Sequence, residues 1–161
     1  MDKPTPIPDE GEPSITELAD GIGKFARVLQ EAVTLRRTGK AYMAVASDKQ
    51  ILEAINRLVS EPTKMKITGI VRTNGLDDPE TERLFKAWVD ANLARIELTT
   101  EANDPRPGIA FLVTRAGMYF SAGYLEEASE DLEDAKNIAM GTSNADLIEE
   151  LRIEEKIKLC N

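Results

Sequence analysis

Residues 47–124 constrain the fold most, because within them the apolar pattern changes period. Ile51, Leu52, Ile55, Leu58 and Val59 make one helical stripe. Ser47 and Gln50 open it as a capping box, and Pro62 closes it. Residues 65–67 read as a short edge strand. Thr68 is the expected cap of a brief helix, GIVRTN, stopped by Gly75 in a left-handed conformation. Asp77 or Asp78 then caps a helix that starts at Pro79 and turns Leu84, Phe85 and Trp88 inward. Asn92 supplies a sharp turn, a position that asparagine tolerates nearly as well as glycine. Residues 93–98 follow as a strand, residues 103–108 as a turn holding Pro105 and Pro107, and residues 109–113 as the returning strand. Thr114 caps the next helix.

The flanks read as helical. Residues 1–13, with four prolines and four acids, are expected to form a flexible tail. Residues 14–46 form an N-terminal helix and connector. Ser14 and Glu17 make its capping box. Ile15, Leu18, Ile22, Phe25, Leu29 and Val33 make its apolar face, and Arg36, Arg37 and Gly39 its end. AYMAVA, residues 41–46, suits either a strand or more helix. Beyond Thr114 a long helix is expected to about Met140, with Gly141 as its stop and Ser143 as the next cap, then a last helix from about Asn144 to Leu159. Residues 125–161 read as acidic amphipathic arms for dimerisation or partner docking. No repeat of solenoid length stands out.

Several chemistries are excluded by what is missing. Among the 161 residues there is no histidine and one cysteine, Cys160. The usual zinc sites, a histidine-based triad and an intrachain disulfide framework are therefore out of reach. No Walker A loop, GxGxxG, GxSxG or HExxH occurs. Adjacent carboxylates such as Glu126 and Glu127 diverge by about 100° on a helix and make poor acid–base dyads. The expectation is a chain without enzymatic activity, cofactor or metal. No run of 18 apolar residues occurs, and the first residues lack a basic segment followed by an apolar one. A cytoplasmic location without membrane partners is expected.

The net charge of −9 argues against simple polyanion binding, but it is uneven. Residues 122–161 carry eleven acids and four bases, whereas residues 48–121 carry eleven acids and ten bases. A local basic face in the middle of the chain remains compatible with this count.

The middle stretch resembles the winged helix-turn-helix superfamily, in the manner of MarR-like and archaeal transcriptional regulators. ITGIVRTNGL is similar to the second helix and turn, ETERLFKAWVDANLARIE to the recognition helix running into the first wing strand, and FLVTRAGMYF to the end of the wing and the helix after it. The resemblance implies a mainly α fold with a small β wing over residues 47–124, flanked by N- and C-terminal amphipathic helices. It also implies a dimeric regulator that binds duplex DNA. Lys64 and Lys66 beside the first strand, Arg72, Thr73 and Asn74 around the turn, Arg83 and Lys86 on the recognition helix, and Arg106 at the wing tip would make the contacts. Against this stand Asp77, Asp78, Glu80 and Glu82, which crowd the helix start that would meet the groove. The second reading is a winged-helix adaptor or assembly subunit that binds protein and no DNA. A third pairs AYMAVA with MKITGIVR as central strands of an α+β sandwich. Trp88 reads as core rather than as a base-stacking platform.

Overall fold

The computed structural model describes residues 14–38, 53, 55–57, 60–100 and 103–161. Helices account for all the regular structure among them. They are α1 (Ile15–Arg37), α2 (Glu61–Asn74), α3 (Pro79–Thr99), α4 (Arg106–Ser121), α5 (Leu125–Gly141), α6 (Asp146–Glu150) and α7 (Ile153–Cys160). Residues 53 and 55–57 are helical as well. The tail at 1–13, Gly39, the AYMAVA segment and the Ser47–Gln50 box lie outside the described residues.

Several helix ends follow the sequence signals. Ser14 Oγ accepts from the Glu17 backbone N–H at 3.1 Å, and Arg36 and Arg37 close α1 beside Thr38. Asp78 Oδ2 caps α3 by accepting from the Thr81 N–H at 3.0 Å and from its hydroxyl at 2.6 Å, with Pro79 in the first turn. Gly75 ends α2 at φ 77°, where its N–H donates to the Val71 carbonyl.

No β wing is present among the described residues, so the expected winged fold is not the fold of this chain. The α+β sandwich fails at its MKITGIVR strand for the same reason. Residues 65–67 lie inside α2, which begins earlier, at a cap made by Ser60, and takes Pro62 into its first turn. Thr68, expected to cap, sits mid-helix and donates its hydroxyl to the Lys64 carbonyl. Asn92 makes no turn. It is buried in α3, and its side-chain amide donates to the Trp88 carbonyl at 2.8 Å. Residues 93–98 continue that helix. The turn at 103–108 is shorter than expected: Asn103 takes φ 72°, and α4 already starts at Arg106. Residues 109–113 are its first turns, and Thr114 hydrogen-bonds back to Ala110 within it. The long helix expected to Met140 breaks at Ala122, Gly123 and Tyr124, where Gly123 takes φ 87°. The last helix is likewise two pieces, α6 and α7, separated by Arg152 in the left-handed region. Ser143, at φ 62°, caps neither.

Two buried clusters meet at α4. The first joins Ala19, Ile22, Leu29 and Val33 of α1 with Ile67 and Val71 of α2, Leu84, Phe85 and Trp88 of α3, and Phe111 and Met118 of α4. The second joins Ile109, Val113 and Ala116 of α4 with Ala128, Leu132, Ala135 and Ala139 of α5, Leu147 of α6 and Ile153 of α7. Each fully buried Leu or Ile contributes about 1.5–3 kcal/mol. Helices α1 and α3 run parallel. Thr16 and Asp20 near the start of α1 reach Glu80 and Arg83 near the start of α3. Arg36 and Arg37 at the end of α1 reach the Leu98 carbonyl and the Glu97 carboxylate at the end of α3. Helices α4 and α5 form an antiparallel hairpin. Alanines at 116, 128, 135 and 139 let the two backbones approach closely.

Two polar contacts hold this arrangement. Arg115 donates to both oxygens of Asp131 at 2.7 Å across the hairpin, and Asp131 is buried. Tyr124, in the α4–α5 turn, accepts from the Leu76 N–H in the α2–α3 turn at 2.7 Å and so ties the two clusters together.

Arg115→Met leaves the Asp131 carboxylate buried without its cation and is expected to cost about 3 kcal/mol in urea unfolding. Adding Asp131→Leu should restore most of that loss, and a double variant as unstable as the single one would contradict the account. Tyr124→Phe removes only the acceptor of the Leu76 N–H and is expected to cost about 1 kcal/mol with an unchanged urea slope.

Candidate functional site

The eight basic and polar residues singled out in the sequence fall on three helices. Lys64, Lys66, Arg72, Thr73 and Asn74 all belong to α2, with the lysines near its start and the other three at its end. Lys64 pairs with Glu61 at 2.9 Å, and the Asn74 amide donates to the Thr81 hydroxyl at 3.4 Å. Arg83 and Lys86 stand one turn apart on α3. Arg106, expected at the tip of a wing, is instead the first residue of α4 and faces α6. There it donates to Asn144 at 3.1 Å and to Asp146 at 3.3 Å, with Glu150 at 3.9 Å.

Arg83 is similarly engaged. It pairs with Asp20 at 2.7 Å and with Glu80 Oε2 at 2.8 Å, and Thr16 donates to that same oxygen at 2.7 Å. The hydrogen bonds from Arg83 and then from Thr16 hold the Glu80 carboxyl below the ordinary glutamate range. A carboxyl depressed on folding stabilises the native state above its unfolded value, and that contribution is lost as pH falls through the lowered one. Two of the four acids at the start of α3 therefore have structural partners: Asp78 caps, and Glu80 clasps α1.

Two residues that the sequence did not single out join this surface. Lys24 and Arg27 of α1 line a furrow of about 410 Å³ together with Arg83 and Lys86 of α3. The sequence signal was their spacing on the outer side of α1. It pointed nowhere until α1 and α3 were known to lie side by side.

A second concavity, of about 210 Å³, lies between α4 and α7. Val113, Gly117 and Phe120 of α4 form one wall, Leu159 and Cys160 of α7 the other, with Leu132 of α5 at the base. Its rim is unusually apolar for an exposed surface: Phe120 is 43% exposed and Leu159 67%. Lys156 is the charged residue in its lining. Gly117 leaves the space open, because a Cβ built there meets nothing within 4 Å. Burial pushes the Cys160 thiol above its ordinary range.

Trp88 is 2% exposed and packs between Phe85 and Phe111, with ring centroids 6.2 and 5.5 Å away. It is a core residue, as the sequence indicated. No group of three or more metal-binding side chains occurs among the described residues, and no helix among them is long and apolar enough to cross a membrane.

Comparison with protein-family models, with curated proteins and with solved structures finds no match to this chain.

Proposed function

We propose that the chain is a helical protein-interaction module that takes an apolar segment of a partner in the groove between α4 and α7. The observation that carries this reading is the groove itself: an exposed apolar concavity walled by two helices and kept open by a glycine within a helix. Such a surface suits a helix-in-groove contact, in which side chains one turn apart enter as anchors. The surroundings suggest basic flanks on the partner, since residues 122–161 carry eleven acids against four bases.

The hairpin supports the same reading. Leu112, Ala116 and Tyr119 on α4, then Ala128 and Leu132 on α5, are spaced as in a tetratricopeptide-type helical hairpin, with Arg115 departing from that pattern. Units of that kind bury their faces against neighbours and leave a binding surface along one side. DNA binding by the α2 and α3 cations is the weaker reading. Arg83 and Arg106 already hold carboxylates, and the eight residues belong to three helices.

The test uses a fluorescent helical peptide of about 18 residues with leucines one turn apart and lysine at both ends. Saturable binding that persists in about 0.5 M salt is expected, because an apolar contact is little screened. Gly117→Leu fills the groove and replaces a helical glycine, so it should weaken binding at least tenfold while leaving thermal stability equal or higher. Equal affinity for wild type and Gly117→Leu would remove the groove from consideration. A random DNA duplex, titrated at about 50 and 200 mM salt, is the counter-probe: tight binding that falls steeply with salt would favour the DNA reading instead.

A further inference from the structure

We propose that the furrow between α1 and α3 receives the acidic outer stripe of α5 from a second copy of this chain, in a head-to-tail contact. The furrow concentrates positive charge in a chain whose net charge is −9. Of its four cations, Arg83 is held by Asp20 and Glu80, which also neutralises Asp20 in the lining. Among the described residues, Lys24, Arg27 and Lys86 take part in none of the salt bridges, and all three are exposed. Asp90 is the other acid lining the furrow. The floor is built from Ala19, Gly23, Ala26 and Ala87, and a Cβ at Gly23 would meet nothing within 4 Å. Small residues at the base of a cleft between two helices let a third helix approach to about 8–10 Å between axes.

The complementary surface is on α5. Glu126, Glu130, Glu133 and Asp134 recur at three- and four-residue steps and are exposed. Ala128, Leu132 and Ala135 lie on the opposite side of that helix and are buried. None of the four acids belongs to a salt bridge among the described residues. Lys24 and Arg27 are one turn apart, as are Glu130 and Glu133, so the two sets match in pitch. Within one molecule α3 and α4 stand between α1 and α5 in the order of packing, so the stripe and the furrow belong to different ends of the helical stack. A contact between unlike surfaces does not close on itself, and copies would add in sequence.

Ionic strength acts on this contact in two ways. The Debye length of about 10 Å at 0.1 M damps the repulsion between two acidic chains more than it damps ion pairs in contact. At 1 M, where it is about 3 Å, the pairs are lost too.

Sedimentation velocity on the full chain at about 0.1 M and about 1 M salt tests the proposal. At the lower salt the average mass should rise steadily with concentration beyond that of a dimer, and at the higher salt the chain should be monomeric. The double variants K24E/R27E and E130K/E133K change exposed residues only and should each be monomeric, with unchanged thermal unfolding. Mixed together, the two variants offer one intact furrow–stripe contact and one with both charges reversed, so opposite charges face each other at every contact and assembly beyond a dimer should return. A wild-type chain that stays monomeric at the lower salt overturns the proposal. So does a dimer that neither variant disrupts, or a duplex of DNA that binds the monomer and is lost in K24E/R27E. Gly117→Leu should leave the assembly intact, which separates this contact from the α4–α7 groove.

Discussion

Helix α4 is buried on two opposite faces, and the rest of the structure depends on that. Ile109, Val113 and Ala116 follow one another at four- and three-residue steps and face α5 and α7. Phe111 and Met118 lie about half a turn away around the helix and face Trp88 and the first cluster. Tyr119 touches both clusters. A helix used in this way needs apolar residues on both sides, and it leaves only narrow edges for polar ones. Arg115 occupies one edge, where it covers the Phe111 ring at 5.5 Å and reaches across to Asp131. The α4–α5 hairpin cannot form without burying this ion pair, so its position also fixes the register of the two helices.

The same constraint explains where sequence reading succeeded and where it did not. Helix α1 is buried mainly on one side, and its periodicity, its cap at Ser14 and its basic end were all legible. So were the Asp78 cap, the Gly75 stop and the inward face of Leu84, Phe85 and Trp88. The first turns of α4, residues 109–113, were read as a strand because a short continuous apolar run, IAFLV, does not by periodicity alone tell a strand from a buried helix. A helix buried on both sides places apolar residues all along such a run. Within α3, Asn92 was read as a turn because its chemistry permits one. The side chain instead satisfies itself against the Trp88 carbonyl inside the helix and accepts from Arg95 at 3.2 Å. Once stretches of α2, α3 and α4 had been read as strands, a wing followed, and the small residues at 116, 128 and 135 lost their meaning as a hairpin interface.

The charges divide in the same way between what composition reveals and what only packing reveals. The acidity of the last 40 residues is plain from counting. Which cations are available is not, because pairs such as Arg83 with Asp20, or Arg106 with Asp146, join residues distant in the chain. The acid-rich start of α3 shows the difference well. Taken as a surface it would repel phosphates. In the folded chain Asp78 offsets the unpaired N–H groups of the first turn, and Glu80 accepts from Thr16 and Arg83 to hold α1 parallel to α3.

That parallel pairing decides which surfaces exist at all. Two parallel neighbours cannot be joined by a short turn, so the chain between α1 and α3 must cross back over the length of the pair. Helix α2 belongs to that return, and its Ile67 and Val71 complete the first cluster. Among the described residues the other side of the α1–α3 pair is uncovered, and there Lys24, Arg27 and Lys86 come together over a floor of small residues. At the far end, α7 packs against α5, where Lys136 meets Glu154 at 3.1 Å, and leaves Phe120 and Leu159 facing one another across an open groove. One surface is polar and shaped by a pairing of helices distant in sequence. The other is apolar and shaped by α4 and α7, with α5 at its base. They call for different ligands because different forces built them: ion pairing at the first, where salt competes, and burial of apolar area at the second, where it does not.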